Sequence, residues 1–196
     1  MDMKLAMLSN IALKRIASGL SMMAVFTFFW ASCAYYGLLD TSYRWLLLIF
    51  PILCVIFIYN AFRLIRKAQN LPSQPLADLD EEEKRGKRFG IILAGEGIGI
   101  FIAVNIVINL HHRELIMPAI ALVVGLHFIP LAKLFKRKFD YYLGTWSILI
   151  AFFAITFSLN KMLNESAVLA FTGIGMAVST TFYGLKMILS AHKALS

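Results

Sequence analysis

Charge is scarce in this chain. Asp, Glu, Lys and Arg make up 15% of its 196 residues, where a soluble domain carries about 25%. Cysteine is scarcer still. Cys33 and Cys54 both fall inside apolar blocks, which leaves no disulfide framework or cysteine-based metal site, and each reads as a small packing residue. No G-x-x-x-x-G-K phosphate loop or H-E-x-x-H metal motif occurs, nor any G-x-S-x-G nucleophile turn, so enzymatic activity has no positive support. His111 and His112 stand beside Arg113 and Glu114, but a metal site needs three or four convergent ligands. A bis-histidine haem would need a second histidine level with His127, and the sequence offers none. No metal and no cofactor is expected.

What is abundant is hydrocarbon. Hydrophobic residues make up 60% of the chain, and they fall in blocks too long for ordinary core helices. A bilayer core about 30 Å thick asks for about 20 apolar residues per helix. Six blocks meet that length, at about residues 17–39, 43–62, 89–110, 115–134, 141–159 and 166–189. The fold class expected is all-α, a polytopic transmembrane bundle of six helices, with residues 1–196 forming one membrane domain. The apolar run after Lys14 and Arg15 continues past the length of a cleavable signal, so it reads as an uncleaved first span. Residues 1–16 space Leu5, Leu8, Ile11, Ala12 and Ile16 for a helix at the membrane interface or an extension of that span. Residues 63–88 form the longest polar segment, a charged cytoplasmic loop in which Pro72 and Pro75 break any helix and Asp78 to Arg88, acidic residues first and basic last, suits a short helix.

The net charge of +8 would suit nucleic acid if the basic residues formed one patch. They lie instead between apolar blocks, so anionic lipid head groups are the expected partner and nucleic acid is not. Sixteen of the nineteen basic residues fall on one side of a six-span arrangement. These are Lys4, Lys14, Arg15, the seven from Arg63 to Arg88, the four from Lys133 to Lys138, Lys186 and Lys193. Only Arg44, Arg113 and Lys161 fall on the other. Basic residues mark the cytoplasmic side, which places both termini in the cytoplasm.

Within this frame Glu96 stands out, because an ionisable group inside a span is costly and marks a functional site by default. It lies eight residues into the third span, about 12 Å along a helix. His127 lies about 9 Å from the same side of the fourth span. The two spans are joined by a short turn and should pack side by side, so a Glu96–His127 contact is expected, with its facing left open by rotation about each axis. Gly95, Gly99 and Ala103 recur every four residues beside Glu96, a stripe that lets helices approach closely. Gly173, Ala177 and Thr181 form a second stripe. Ser179, Thr180 and Tyr183 sit at a depth comparable to Glu96, which suggests one polar cavity shared with His127. Asn105 and Asn109 are expected to bond a different neighbouring helix. Pro130 leaves the Leu126 carbonyl without its helical donor, as a hinge or as a static kink. Trp45, Tyr141, Tyr142 and Trp146 read as interface anchors.

At Gly125-Leu126-His127-Phe128-Ile129-Pro130-Leu131-Ala132, with Glu96-Gly97 upstream, the chain resembles a group of small bacterial multi-pass membrane proteins with no assigned activity. The resemblance covers most of the six-span region. It implies a bacterial inner membrane and nothing about substrate.

The polar residues point to a small transporter or channel-like protein, as a monomer or homo-oligomer, with a proton-titratable Glu96/His127 site. The alternative is a non-transporting scaffold or sensor acting through residues 63–88. The other reading of the pair itself is packing glue, with Glu96 neutral or paired and fixing the helix packing.

Overall fold

A computed structural model describes the backbone over residues 10–70 and 76–195, and the side chains over 10–70 and 83–193. Six α-helices follow one another: α1 Asn10–Gly37, α2 Ile49–Gln69, α3 Leu76–Asn109, α4 Ile116–Phe135, α5 Lys138–Leu159 and α6 Glu165–Leu195. Two 3-10 segments, Ser42–Leu48 and Arg113–Leu115, lead into α2 and α4. No strand occurs among the described residues. All six helices are long and apolar enough to cross a membrane.

Several boundaries differ from the sequence expectation. Residues 63–88 are mostly helical: α2 runs on to Gln69, and α3 begins at Leu76 and continues unbroken through the charged stretch into its apolar part. The acidic-then-basic order of Asp78 to Arg88 suits the first turns of a helix, and Lys87 pairs with Glu83 one turn back at 2.8 Å. Pro72 and Pro75 lie outside the described residues, as do residues 1–9 of the expected interfacial segment. From Asn10 that segment is continuous with α1. The Ser42–Leu48 segment is 3-10 and runs directly into α2, so Pro51, the third residue of α2, stands just past the junction of the two.

α6 is the centre of the bundle and packs antiparallel along α1. Gly37 meets Ser166 and Ala170, Gly173 meets Trp30 and Ala34, and Gly19 meets Met187. Leu13 and Ala191 close one cluster with Phe57 of α2, whose ring rests on Gly184. α5 reaches α6 through Trp146, which donates Nε1–H to the Gly175 carbonyl at 3.0 Å. Trp146 therefore ties two helices together as well as standing partly exposed. α4 and α5 touch at Gly125 and Gly144, each of whose missing Cβ leaves room for the other's carbonyl. α3 is outermost and rests chiefly on α4.

Glycine is spent on these contacts and not on turns. The left-handed positions that end α3, α4 and α5 are taken by His111 (φ 59°), Lys136 (φ 53°) and Lys161 (φ 55°). Such positions usually prefer glycine.

Candidate functional site

The register of α3 on α4 brings Glu96 to His127. The turn at His111–Leu115 starts the two helices antiparallel, and Ala103 packs into a cluster with Val107, Leu115 and Ala119. One turn deeper a Cβ on Gly99 would stand 3.0 Å from Val123 Cγ1. One turn further Glu96 Oε1 lies 3.5 Å from His127 Nδ1. Their side chains are only 14% and 12% exposed respectively. His127 Nδ1 is also 2.5 Å from the Val124 carbonyl. A carbonyl can only accept, so Nδ1 carries the hydrogen and donates it there. That fixes the tautomer: the neutral ring keeps Nε2 as its free acceptor. At 3.5 Å Glu96 is a close neighbour of the ring and not a good hydrogen-bond partner. The imidazole can take a proton at Nε2 while the carboxylate stabilises the resulting cation at Nδ1.

The small residues beside the pair divide. Gly99 and Ala103 make the α3–α4 contact, but Gly95 does not: a Cβ built there meets nothing within 4 Å. Gly95 and Gly97 lie on the open side of α3, which leaves Glu96 flanked by bare backbone. On α6, Gly173 and Ala177 pack as a stripe against α1. Thr181 is buried, but its hydroxyl finds no partner.

Ser179, Thr180 and Tyr183 do not join the pair. Thr27 donates to Thr180 Oγ1 at 2.8 Å, bridging α1 to α6, and Thr180 in turn donates to its own helix at Met176 and Ala177. Ser179 meets Ser147 of α5 at 3.3 Å. Both are buried bridges inside the bundle, so the single polar cavity expected from depth alone is not formed. Depth places a residue along a helix axis, and the small stripe on α6 turns these two hydroxyls toward α1 and α5. Asn105 likewise bonds its own helix, donating to the Phe101 carbonyl at 2.7 Å, and not a neighbouring one. α4 continues through Pro130 to Phe135.

Tyr183 belongs to a second group that the sequence reading missed. Its hydroxyl accepts from Arg137 at 3.2 Å, and its ring stacks on Phe139 and meets Phe128 edge-on. Beside it lies Asp140, fully buried, with Arg137, Tyr183 and Lys186 as its charged and polar neighbours. Neither carboxyl oxygen is held in good hydrogen-bond geometry, and the Tyr183 hydroxyl is the donor close enough to act on it. An acid in the first turn of α5 directly after Lys136-Arg137-Lys138 looks like a solvated cap in sequence. Only the tyrosine from α6, 43 residues on, closes it off.

Between the two polar groups lies an apolar layer. Phe128, Leu131 and Leu143 are its buried centre, with Phe89, Ile92, Phe135 and Phe139 packed around them. Two cavities lie elsewhere. One of about 190 Å³ sits between α2 and α6 beside Asn60, Arg63, Lys67 and His192, and an apolar one of about 470 Å³ sits between α1 and α2 beside Phe28, Pro51 and Cys54. Among the described residues no group of three His, Cys, Asp or Glu is placed to hold a metal ion.

The class these observations define is an all-helical protein whose six apolar helices suggest residence in a membrane. No family model, curated protein or solved structure matches the chain.

Proposed function

We propose that the protein is a small transporter or channel-like membrane protein in which Glu96 and His127 form a proton-exchanging pair. The observation that carries this is their 3.5 Å approach across α3 and α4, in otherwise apolar surroundings that include the Phe128 ring, 4.5 Å from the imidazole. An acid and a base at that separation hold zero, one or two protons between them. The charge of the pair then responds to pH or to a cationic solute, which is how intramembrane carboxylates serve in proton relays. The basic residues at one end of the bundle orient it with both termini cytoplasmic and facing anionic lipid. We read the membrane as a bacterial inner membrane, on the Gly125–Ala132 resemblance alone.

The test is proton flux in proteoliposomes carrying an interior pH dye. The wild-type protein should pass protons, alone or with a solute from a broad panel, and Glu96→Gln and His127→Gln should each lose most of that flux. Equal flux in Glu96→Gln and wild type, or none in the wild type across the panel, ends the proposal.

A scaffold role is favoured by a different observation: neither the cavity between α2 and α6 nor that between α1 and α2 is lined by Glu96 or His127, while the start of α3 carries exposed Glu83 and Lys87. In-cell cross-linking from residue 83 or 87 separates the two. One dominant protein partner supports the scaffold, and flux without such a partner supports the transporter.

A further inference from the structure

Asp140 is a buried charge site that the Glu96–His127 pair does not use. It is wholly excluded from the surface, and neither oxygen is held in good hydrogen-bond geometry, although the Tyr183 hydroxyl lies close enough to act on it as a donor. Two cations stand close enough to act on it, Arg137 from the α4–α5 turn and Lys186 from α6, and Tyr183 is the remaining polar neighbour. Yet the cations are engaged elsewhere. Arg137 gives a hydrogen bond to Tyr183 and lies over the Phe135 ring, 4.8 Å from its centroid. Lys186 rests its ammonium 3.7 Å from the centre of Phe139.

An ionised carboxylate sealed in this way would draw both cations onto itself, since an unpaired buried charge is far costlier than a cation–π contact. Their placement on aromatic faces is the arrangement of a neutral acid. A third cation would be poorly held by a carboxylate already flanked by two, which leaves the proton. We infer that Asp140 is a second proton-binding site, carrying its proton in the state seen, and that Arg137 and Lys186 are the groups that close on it when that proton leaves. The step balances simply: the carboxyl O–H bond breaks, the proton leaves toward the basic end of the bundle, and the carboxylate is neutralised by side chains already present. Moving Arg137 off Tyr183 and Phe135, and Lys186 off Phe139, frees the aromatic layer that separates this end from Glu96 and His127. Asp140 would thus couple protonation to the looseness of that layer. The inference stands whether or not the Glu96–His127 pair passes protons.

Infrared difference spectra test it on the full chain in lipid nanodiscs, labelled with 13C-aspartate so that Glu96 does not contribute. A label-sensitive carboxylic-acid carbonyl band should fade as pH is raised. It should be missing from Asp140→Asn and retained in Glu96→Gln. No such band in the wild type, or one that persists in Asp140→Asn, overturns the proposal. Should Asp140→Asn fail to fold, Arg137→Gln and Lys186→Gln decide. Removing either cation takes away support for the ionised form, so the midpoint of the fading should move about one unit toward higher pH. A midpoint unchanged in both variants overturns it equally.

Discussion

Gly173 and Ala34 meet backbone to backbone where α6 crosses α1: a Cβ on Gly173 would stand 2.5 Å from the Ala34 amide nitrogen and 2.7 Å from the Trp30 carbonyl. No side chain can swing aside there, so Gly173→Ala must separate two helices. The expected cost is about 1–3 kcal/mol, the usual range for overpacking. Gly95→Ala is the control. Its Cβ meets nothing, and replacing glycine inside a helix gains up to about 1 kcal/mol. Thermal unfolding in detergent should lower the midpoint for Gly173→Ala and hold or raise it for Gly95→Ala. The opposite order would contradict the α1–α6 packing.

The Thr27–Thr180 bridge predicts a measurable but small coupling. Hydrogen bonds between helices in a membrane average about 0.6 kcal/mol in double-mutant cycles, because the unfolded chain also finds partners. Thr27→Val, Thr180→Val and the double variant should give a coupling near that value. Both hydroxyls are buried, and Thr180 retains carbonyl acceptors at Met176 and Ala177 when Thr27 is lost, whereas Thr180→Val leaves the Thr27 hydroxyl without its acceptor, so Thr180→Val should be the more costly single change. A coupling indistinguishable from zero would mean that the two hydroxyls do not hold each other.

The positions of the six helices were legible because the length of an apolar run and the thickness of a bilayer set each other. The Glu96–His127 approach was legible for a second reason. A short turn fixes which helices pair, and Gly99 with Ala103 fixes which face of α3 turns inward. The facing of Thr180 was available too, since it lies one heptad after Gly173 and shares its side of α6. Depth was used in place of rotation, and depth alone grouped Thr180 with Glu96. Asp140 was not legible. Its burial depends on Tyr183 and on a turn whose shape rests on Lys136 in the left-handed region, and no local pattern announces either.

Accessibility from the two faces of the membrane provides a test of orientation. Lys87 and Lys136 lie at the basic end, Arg113 and Lys161 at the other, and all four are exposed. In a background with Cys33→Ala and Cys54→Ala, cysteines at 113 and 161 should react with an impermeant maleimide added outside intact cells. Cysteines at 87 and 136 should react only after the membrane is opened. Reaction of all four from one side would reject the six-span topology, and reversed sides would reject the cytoplasmic assignment.

The exposure of the two acids predicts opposite reactivity toward a hydrophobic carbodiimide, which reaches carboxyl groups through lipid and adds only to the protonated form. Glu96 sits on the outermost helix, partly accessible and flanked by Gly95 and Gly97, which add no side chain of their own around it. Asp140 is sealed under Tyr183 and the aromatic layer. Peptide mass spectrometry after treatment of the protein in lipid should therefore find the adduct on Glu96 and none on Asp140. His127→Leu sharpens the test. Without the imidazole nothing beside Glu96 favours its ionised form, so labelling at Glu96 should rise by severalfold. Equal labelling in wild type and His127→Leu would show that the histidine does not influence the acid, whatever their separation. An adduct at Asp140 in the wild type would show that the aromatic layer does not seal that end of the bundle.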